Sequence, residues 1–345
     1  MDLVLETCDA FLFDPIYAKL FPLPGAGAVI GTEVTSIAKN ISMTFTPENP
    51  YEYTFFPAPT TAYLTTITRD NIFRQFVSLF LVTYIFGVML YFLFASLSYV
   101  FVFDKRTFDH PRYLKNQMRL EISMAMYALP WMALFTTPWF VFEVRGYSKL
   151  YWDTQDYSKF YLIAQIPFFI AFTDALIYYI HRYLHHPRFY KSLHKPHHKW
   201  IMPTPFASHA FHPFDGYLQS LPYHFFPFLF PLHKFNYLLL FTFVNIWTVM
   251  IHDGEYLAND PVINGSACHS IHHLYFNYNY GQFTTLWDRV GGSYRQPEEE
   301  FFDKNLKMDK NTWKKTAEKS DMIMKEVEHD DDRVYSSDAQ EKKSK

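Results

Sequence analysis

The chain has only two cysteines in 345 residues, Cys8 and Cys268, and they lie too far apart in sequence to suggest a disulfide framework. Cys268 adjoins His269, so a thiolate ligand is conceivable, although a small packed thiol is the commoner use of such a residue. Glycine is scarce, at 11, while aromatic residues reach 20% with 37 Phe and 26 Tyr. That make-up argues against two ordinary soluble domains, which the length alone would allow. A net charge of −3 gives no reason to expect a nucleic-acid partner. The amino-terminus lacks the basic stretch of a cleavable signal peptide, since Asp2, Glu6, Asp9 and Asp14 stand where it is expected.

What is present is long and apolar. No charged residue occurs between about Phe76 and Phe103, enough to span a bilayer core of roughly 30 Å. A basic loop follows (Lys105, Arg106, Arg112, Lys115, Arg119), then a second span over about Ile122–Phe142 that tolerates Pro130 and Pro138, and a third over about Phe160–Ile180. A fourth block, about 217–251, is interrupted by Pro227, Pro231, His233 and Lys234. A single crossing there would part the histidines before it from those after it, so two short helices turning near Pro231–Lys234 are expected. The predicted fold is an all-α integral membrane bundle of three spans plus a helical hairpin, capped by a histidine-rich di-metal domain. Its divisions are an irregular lumenal arm (1–70), spans (71–180), a catalytic region (181–297) with the inserted hairpin, and a charged cytosolic tail (298–345) read as a solvated extension. The positive-inside rule puts the basic loop and the histidine face in the cytosol. Asn40-Ile41-Ser42 is then an accessible glycosylation sequon, Asn264-Gly265-Ser266 an inaccessible one, and Lys342-Lys343-Ser344-Lys345 resembles a dilysine retrieval signal of the endoplasmic reticulum.

Histidines gather at the ends of these blocks: H-R-Y-L-H-H at 181–186, H-K-P-H-H at 194–198 and H-S-I-H-H at 269–273. His181 and His185, four apart at the end of the third span, share one helix face. The spacing His-x-x-His-His in His194, His197 and His198, and again in His269, His272 and His273, lets three nitrogens converge from one segment. His252 in I-H-D-G-E-Y is a further candidate ligand, with His209 and His212 of S-H-A-F-H-P and His186 behind it; hydrogen bonding in a core is the rival use of each. Asp174, a carboxylate inside an apolar span, needs a partner. Its expected task is to accept the outer N–H of a ligating imidazole. A Tyr, Ser or Trp partner is the alternative. So many imidazoles exceed the needs of one structural zinc. They suit iron, copper or zinc by geometry, and a position at a membrane face favours di-iron activation of O₂ against an unactivated C–H bond.

The histidine motifs resemble those of the fatty acid hydroxylase/sterol desaturase superfamily. Four segments narrow the likeness to the fungal sterol C-5 desaturases: Trp247–Tyr256, Asn264–His273, Phe276–Arg289 and His194–Pro213. The resemblance is strong over about 120–297. It implies a Δ7-sterol substrate of the episterol or lathosterol type, and a C5–C6 double bond as product in ergosterol synthesis. It further implies two Fe ions, O₂ as co-substrate, electrons from NAD(P)H through a reductase and cytochrome b5, and catalytic roles for the eight histidines of the three boxes. Related fatty acid hydroxylases have additional histidine ligands between boxes two and three; this chain offers His252 there, with Tyr256 where the second His of an H-x-x-x-H pair could stand. Thr204, in P-T-P-F, is expected to help shape the substrate end. The rival functions are another membrane di-iron lipid oxidase (a sterol C-4 methyl oxidase or a sphingolipid or fatty acid hydroxylase), a metal transporter, and a non-catalytic metal- or sterol-binding membrane protein.

Overall fold

The computed structural model describes residues 1–24, 59–256, 260–299, 302–329 and 331–336. Among these, nine helices carry the architecture: α1 (Asp2–Cys8), α2 (Asp14–Leu20), α3 (Ile72–Phe101), α4 (Gln117–Val144), α5 (Lys159–Leu184), α6 (Pro213–Leu229), α7 (Lys234–His252), α8 (Ser266–Tyr275) and α9 (Lys310–Val327). The two strands, β1 (Leu150–Tyr151) and β2 (Leu232–His233), form one short parallel pair that ties the loop after α4 to the turn between α6 and α7. The Asn40 sequon and the dilysine residues lie outside the described residues.

Helices α3, α4, α5 and α7 are each long and apolar enough to cross a bilayer. With α6 between α5 and α7 the five helices alternate in direction, and α6 with α7 makes the hairpin the sequence predicts, turning at Phe230–His233. Pro213 starts α6 at a position where its missing N–H costs nothing, and the His212 ring caps it by accepting from the Phe214 N–H (3.2 Å). At 17 residues α6 is about 26 Å long, shorter than its partners. The bundle core joins Phe140, Val141, Phe169, Phe226, Tyr237 and Leu240, all buried. The ends of α3, α5 and α7 and the start of α4 therefore lie at one end of the bundle, with the basic loop and all three histidine boxes.

Two segments differ from their sequence reading. Residues 2–20 are not irregular: α1 and α2, joined by a π turn, pack at the end opposite the histidines. Their acids explain why. Arg74, in the first turn of α3, bonds Asp9 (2.9 Å) and Asp14 (2.5 Å), and Arg69 also pairs with Asp14, all of them buried. Leu5, Phe13 and Tyr17 are buried as well, so the anchoring is ionic and apolar together, and the ionic part leaves no periodic signal.

The charged tail is likewise no free extension. α9 buries Trp313, Ala317 and Met324, and Trp313 sets its ring edge-on to His110 at 5.4 Å. Beyond α9 the chain returns to bridge Leu114 with Tyr335. The Arg333 guanidinium, buried, donates to Glu328 (2.9 and 3.0 Å), to the His198 carbonyl (2.9 Å) and to that of Lys199 (3.4 Å). Glu328 also accepts from the Tyr190 hydroxyl (2.7 Å). The tail thus clamps the segment that carries box two. Replacing Arg333 by Met leaves the buried Glu328 to Lys195 (3.3 Å) and the Tyr190 hydroxyl alone, so the cost stays below the roughly 3–5 kcal/mol of breaking a buried pair outright. Arg333→Met should therefore lower the melting temperature of the detergent-solubilised protein, and a wild-type melting curve would contradict the clamp.

Candidate metal centre

Box one leaves the bilayer on the last turn of α5, box two sits on a π turn (Tyr190–His194) and the short helix Lys195–His198, and box three lies on α8. His252 ends α7. The fold brings nine histidines into two groups, His181, His185, His194, His198 and His272 in one and His197, His252, His269 and His273 in the other. Within each, one ring nitrogen per residue lies within 4.8 Å of all the rest.

The outer nitrogens determine what the inner ones can be. His181 Nδ1 faces the Tyr280 carbonyl (2.9 Å), His194 Nδ1 the Asp215 carboxylate (2.7 Å), His252 Nδ1 the Thr248 carbonyl (2.6 Å) and His272 Nδ1 the Tyr278 carbonyl (2.7 Å). A carbonyl or carboxylate oxygen can only accept, so each of these imidazoles carries its proton on Nδ1. Their Nε2 atoms are bare lone pairs, yet His181 Nε2 lies 3.1 Å from His194 Nε2. Two lone pairs at that separation repel unless a cation lies between them. The spacing suits one: ligands bound at about 2.0–2.1 Å stand about 3.0 Å apart at right angles and about 3.4 Å apart at the tetrahedral angle. The other inner pairs fall in that range, with His198–His185 at 3.1 Å, His198–His272 at 3.0 Å, His269–His252 at 3.0 Å, His273–His269 at 3.1 Å and His252–His197 at 3.4 Å. Burial and the neighbouring imidazoles hold His185, His197, His198, His269 and His273 far below the usual histidine range, and His272 down to about 3. These rings are neutral near pH 7, so binding a cation displaces no proton from them.

Carboxylates hold this arrangement from outside. Asp215, in the first turn of α6, is buried against His194 and also accepts from Gln219 (2.7 Å). Asp174 does not touch an imidazole, contrary to expectation. Its oxygens accept the backbone N–H groups of Gln282 (3.1 Å), Phe283 (2.8 Å) and Thr284 (3.2 Å) and the Thr284 hydroxyl (2.5 Å). Asp288 takes the N–H groups of Tyr280 and Gly281, both at 2.8 Å. The loop is tight, for a Cβ on Gly281 would stand 2.5 Å from the Thr284 carbonyl oxygen. Together the two acids fix the Tyr280 carbonyl against His181, so Asp174 acts through the loop. Asp215, which does bond a histidine directly, went unread in the sequence. Its signal was an acid two residues past the S-H-A-F-H-P stretch, at the start of the hairpin.

The remaining candidates are placed elsewhere. His186 is exposed and caps a turn by accepting from the Arg188 N–H (3.3 Å); His212 caps α6 in the same way. His209 belongs to neither group. Tyr256 belongs to neither group and has the Lys307 ammonium 4.1 Å above its ring. Cys268 is buried and apart from both groups, and burial pushes its thiol up to about 12, away from a thiolate. Thr204 is buried beneath the site, where its hydroxyl donates to Glu121, and it does not line the cavity described next. The Asn264 amide is buried on the Gly281 carbonyl, so this sequon is closed by packing whichever side it faces.

From the second histidine group an open-mouthed cavity runs into the bundle between α3, α4, α5, α6 and α7. His181, His197, His252 and His269 form its polar end, and its walls include Leu129, Met132, Phe169, Phe241 and Val244. The site can thus hold two cations beside an apolar guest.

Residues 166–293 match the fatty acid hydroxylase family. The chain is 56% identical to the Delta(7)-sterol 5(6)-desaturase of Leptosphaeria maculans, over 99% of each chain. It is 50% identical to that of Saccharomyces cerevisiae, over the whole of both, and 51% to that of Candida albicans, over 97% of this chain and 99% of the other. The chain belongs to the Delta(7)-sterol 5(6)-desaturase family. No solved structure matches it. Membership in this family and the two groups of buried imidazoles agree on a metal-dependent oxidase.

The lone-pair argument makes Asp215 the most direct test. Asp215→Asn can present an N–H in place of an acceptor and so favours the wrong tautomer of His194. Metal affinity should fall about 10–100-fold, read as metal content by mass spectrometry after dialysis against a graded chelator. His212→Ala should keep its metal under the same dialysis. Equal retention by Asp215→Asn and wild type would contradict the assignment.

Proposed function

We propose that this protein introduces the C5–C6 double bond into a Δ7-sterol of the episterol or lathosterol type, at the endoplasmic-reticulum membrane with its histidine face in the cytosol. The observation that carries the reading is the cavity: one apolar chamber inside the bundle ends on the second histidine group, in a chain alike over its full length to named sterol desaturases.

In this reading two Fe ions are held, one by His181, His185, His194, His198 and His272, the other by His197, His252, His269 and His273. Bound there, they supply O₂ activation strong enough to remove hydrogen from an unactivated carbon. The hydrogens on C-5 and C-6 leave the sterol. With two electrons from NAD(P)H, delivered through cytochrome b5 and its reductase, and two protons, they reduce O₂ to two waters. The chain's part is placement. The Nδ1 partners fix the rings that present Nε2, and the buried walls keep water from the reacting carbon. The bundle holds a rigid tetracycle close enough for the second hydrogen to leave from the adjacent carbon, since a misplacement of about 1 Å alters rates strongly.

The test is sterol profiling by gas chromatography–mass spectrometry of a yeast strain lacking C-5 desaturase. The intact chain should restore Δ5,7-dienes, and His272→Ala should leave Δ7-sterols accumulated. Unchanged Δ7-sterols beside a well-expressed, membrane-localised chain would refute the substrate, and new C-4-demethylated sterols or hydroxylated lipids would identify the rival oxidase.

A further inference from the structure

The cavity contains a histidine that the metal groups leave out. His209, at the end of the turn Pro205–His209, is buried, lines the chamber and stacks edge-on against Tyr91 with ring centroids 5.3 Å apart. Its Nδ1 lies 3.1 Å from the Ser208 hydroxyl, and the Asn245 amide of α7 is close enough to act on the ring electrostatically. Ser208 and Asn245 line the same chamber. Asn245 gives one amide N–H to the Phe241 carbonyl (2.8 Å). His209 also lies within electrostatic reach of His252. A small polar patch therefore sits on the chamber wall near the second histidine group. Burial pushes His209 down to about 4, so near neutral pH it is an uncharged ring able to donate at one nitrogen and accept at the other.

Chemical distances decide what this patch can meet. In a Δ7-sterol the 3-hydroxyl oxygen is three bonds from C-5 and four from C-6, hence about 4–5 Å from the reacting carbons at bond lengths near 1.5 Å. The hydroxyl must therefore lie close to the metal end. Other polar side chains also line the chamber, among them Gln219, Ser220 and the pair Thr136 and His224 (3.4 Å apart), and that pair lies farther from the metal end. His224 packs on Phe140, which meets Phe241, and Phe241 stands eleven residues, about 16 Å, before His252 on α7. That end fits the hydrocarbon side chain of a sterol whose ring A faces the histidines.

We propose that His209, with Ser208 and Asn245, binds the 3-hydroxyl of the sterol and so sets which ring carbons face the metal pair. The assignment rests on the sterol desaturase reading above. His209 is a specificity residue that touches substrate, not a ligand. A buried hydroxyl left without its partner is penalised, so the patch favours a 3-hydroxysterol over a 3-deoxy analogue.

The test measures binding without turnover. Holoenzyme in nanodiscs under argon is titrated with lathosterol and with cholest-7-ene, which lacks only the 3-hydroxyl. Wild type should prefer lathosterol about three- to tenfold, the worth of one net hydrogen bond. His209→Phe should bind the two equally by weakening lathosterol alone, His209→Gln should keep part of the preference, and His224→Leu should leave the ratio at its wild-type value. Asn245→Leu reads the same patch from another helix should His209→Phe not fold. The proposal is overturned by a wild type that does not discriminate, by a His209→Phe protein that still does, or by equal loss of both ligands. A wild type that binds lathosterol selectively yet forms no Δ5,7-diene would instead sink the desaturase reading and spare the binding site.

Discussion

Nine imidazoles packed into a buried volume, several turning bare nitrogen lone pairs on one another at about 3 Å, are stable only around positive charge. The rest of the molecule answers to that constraint. The ligands come from the ends of two membrane helices, a π turn, a four-residue helix and a short buried helix, so no one element can define the site. The hairpin is the topological consequence. Without α6 and α7 returning the chain to the end it left, His252 and box three would lie across the bilayer from boxes one and two.

Orientation of the rings is secured from outside by acceptors of two kinds. Carbonyls of Thr248, Tyr278 and Tyr280 are supplied by backbone, which side-chain substitution does not remove but which is only as rigid as its loop. Asp174 and Asp288 supply that rigidity by taking consecutive N–H groups of 280–284. Glu328 and Arg333 do the same for box two. Buried charge here fixes conformation at sites where a small shift would misdirect a lone pair, and such ion pairs are a poor source of net stability in any case.

The helices and the hairpin were legible because apolar length and interrupting prolines are local signals. The histidine clusters were legible because their spacing is local too. What was missed depends on chain folding back over long separations. The anchoring of the π turn and α2 at the start of α3 is between acids at 9 and 14 and arginines at 69 and 74, and the tail's hold on box two joins 328 and 333 to 190 and 198. Asp174 was recognised as a buried acid needing partners but was given the wrong ones, since nothing in sequence shows that 282–284 will pass its side chain. Asp215 took the expected bond because the start of α6 lies over box two. His209 illustrates the same limit: a histidine count cannot separate a ring that faces other rings from one that faces a cavity.

The two histidine groups are unequal, and the inequality bears on where a guest would react. The five-histidine group presents only His181 to the chamber, whereas three of the four histidines in the other group line it. An ion that takes six donors would keep two positions open with four nitrogen ligands and one with five. The more open group therefore lies on the substrate side. Tyr256 belongs to neither group, with the Lys307 ammonium 4.1 Å above its ring, and the second group has four nitrogens. The fold thus pairs the less crowded coordination with the apolar chamber and sets the fuller one behind it, which is the order a reaction on a buried hydrocarbon needs.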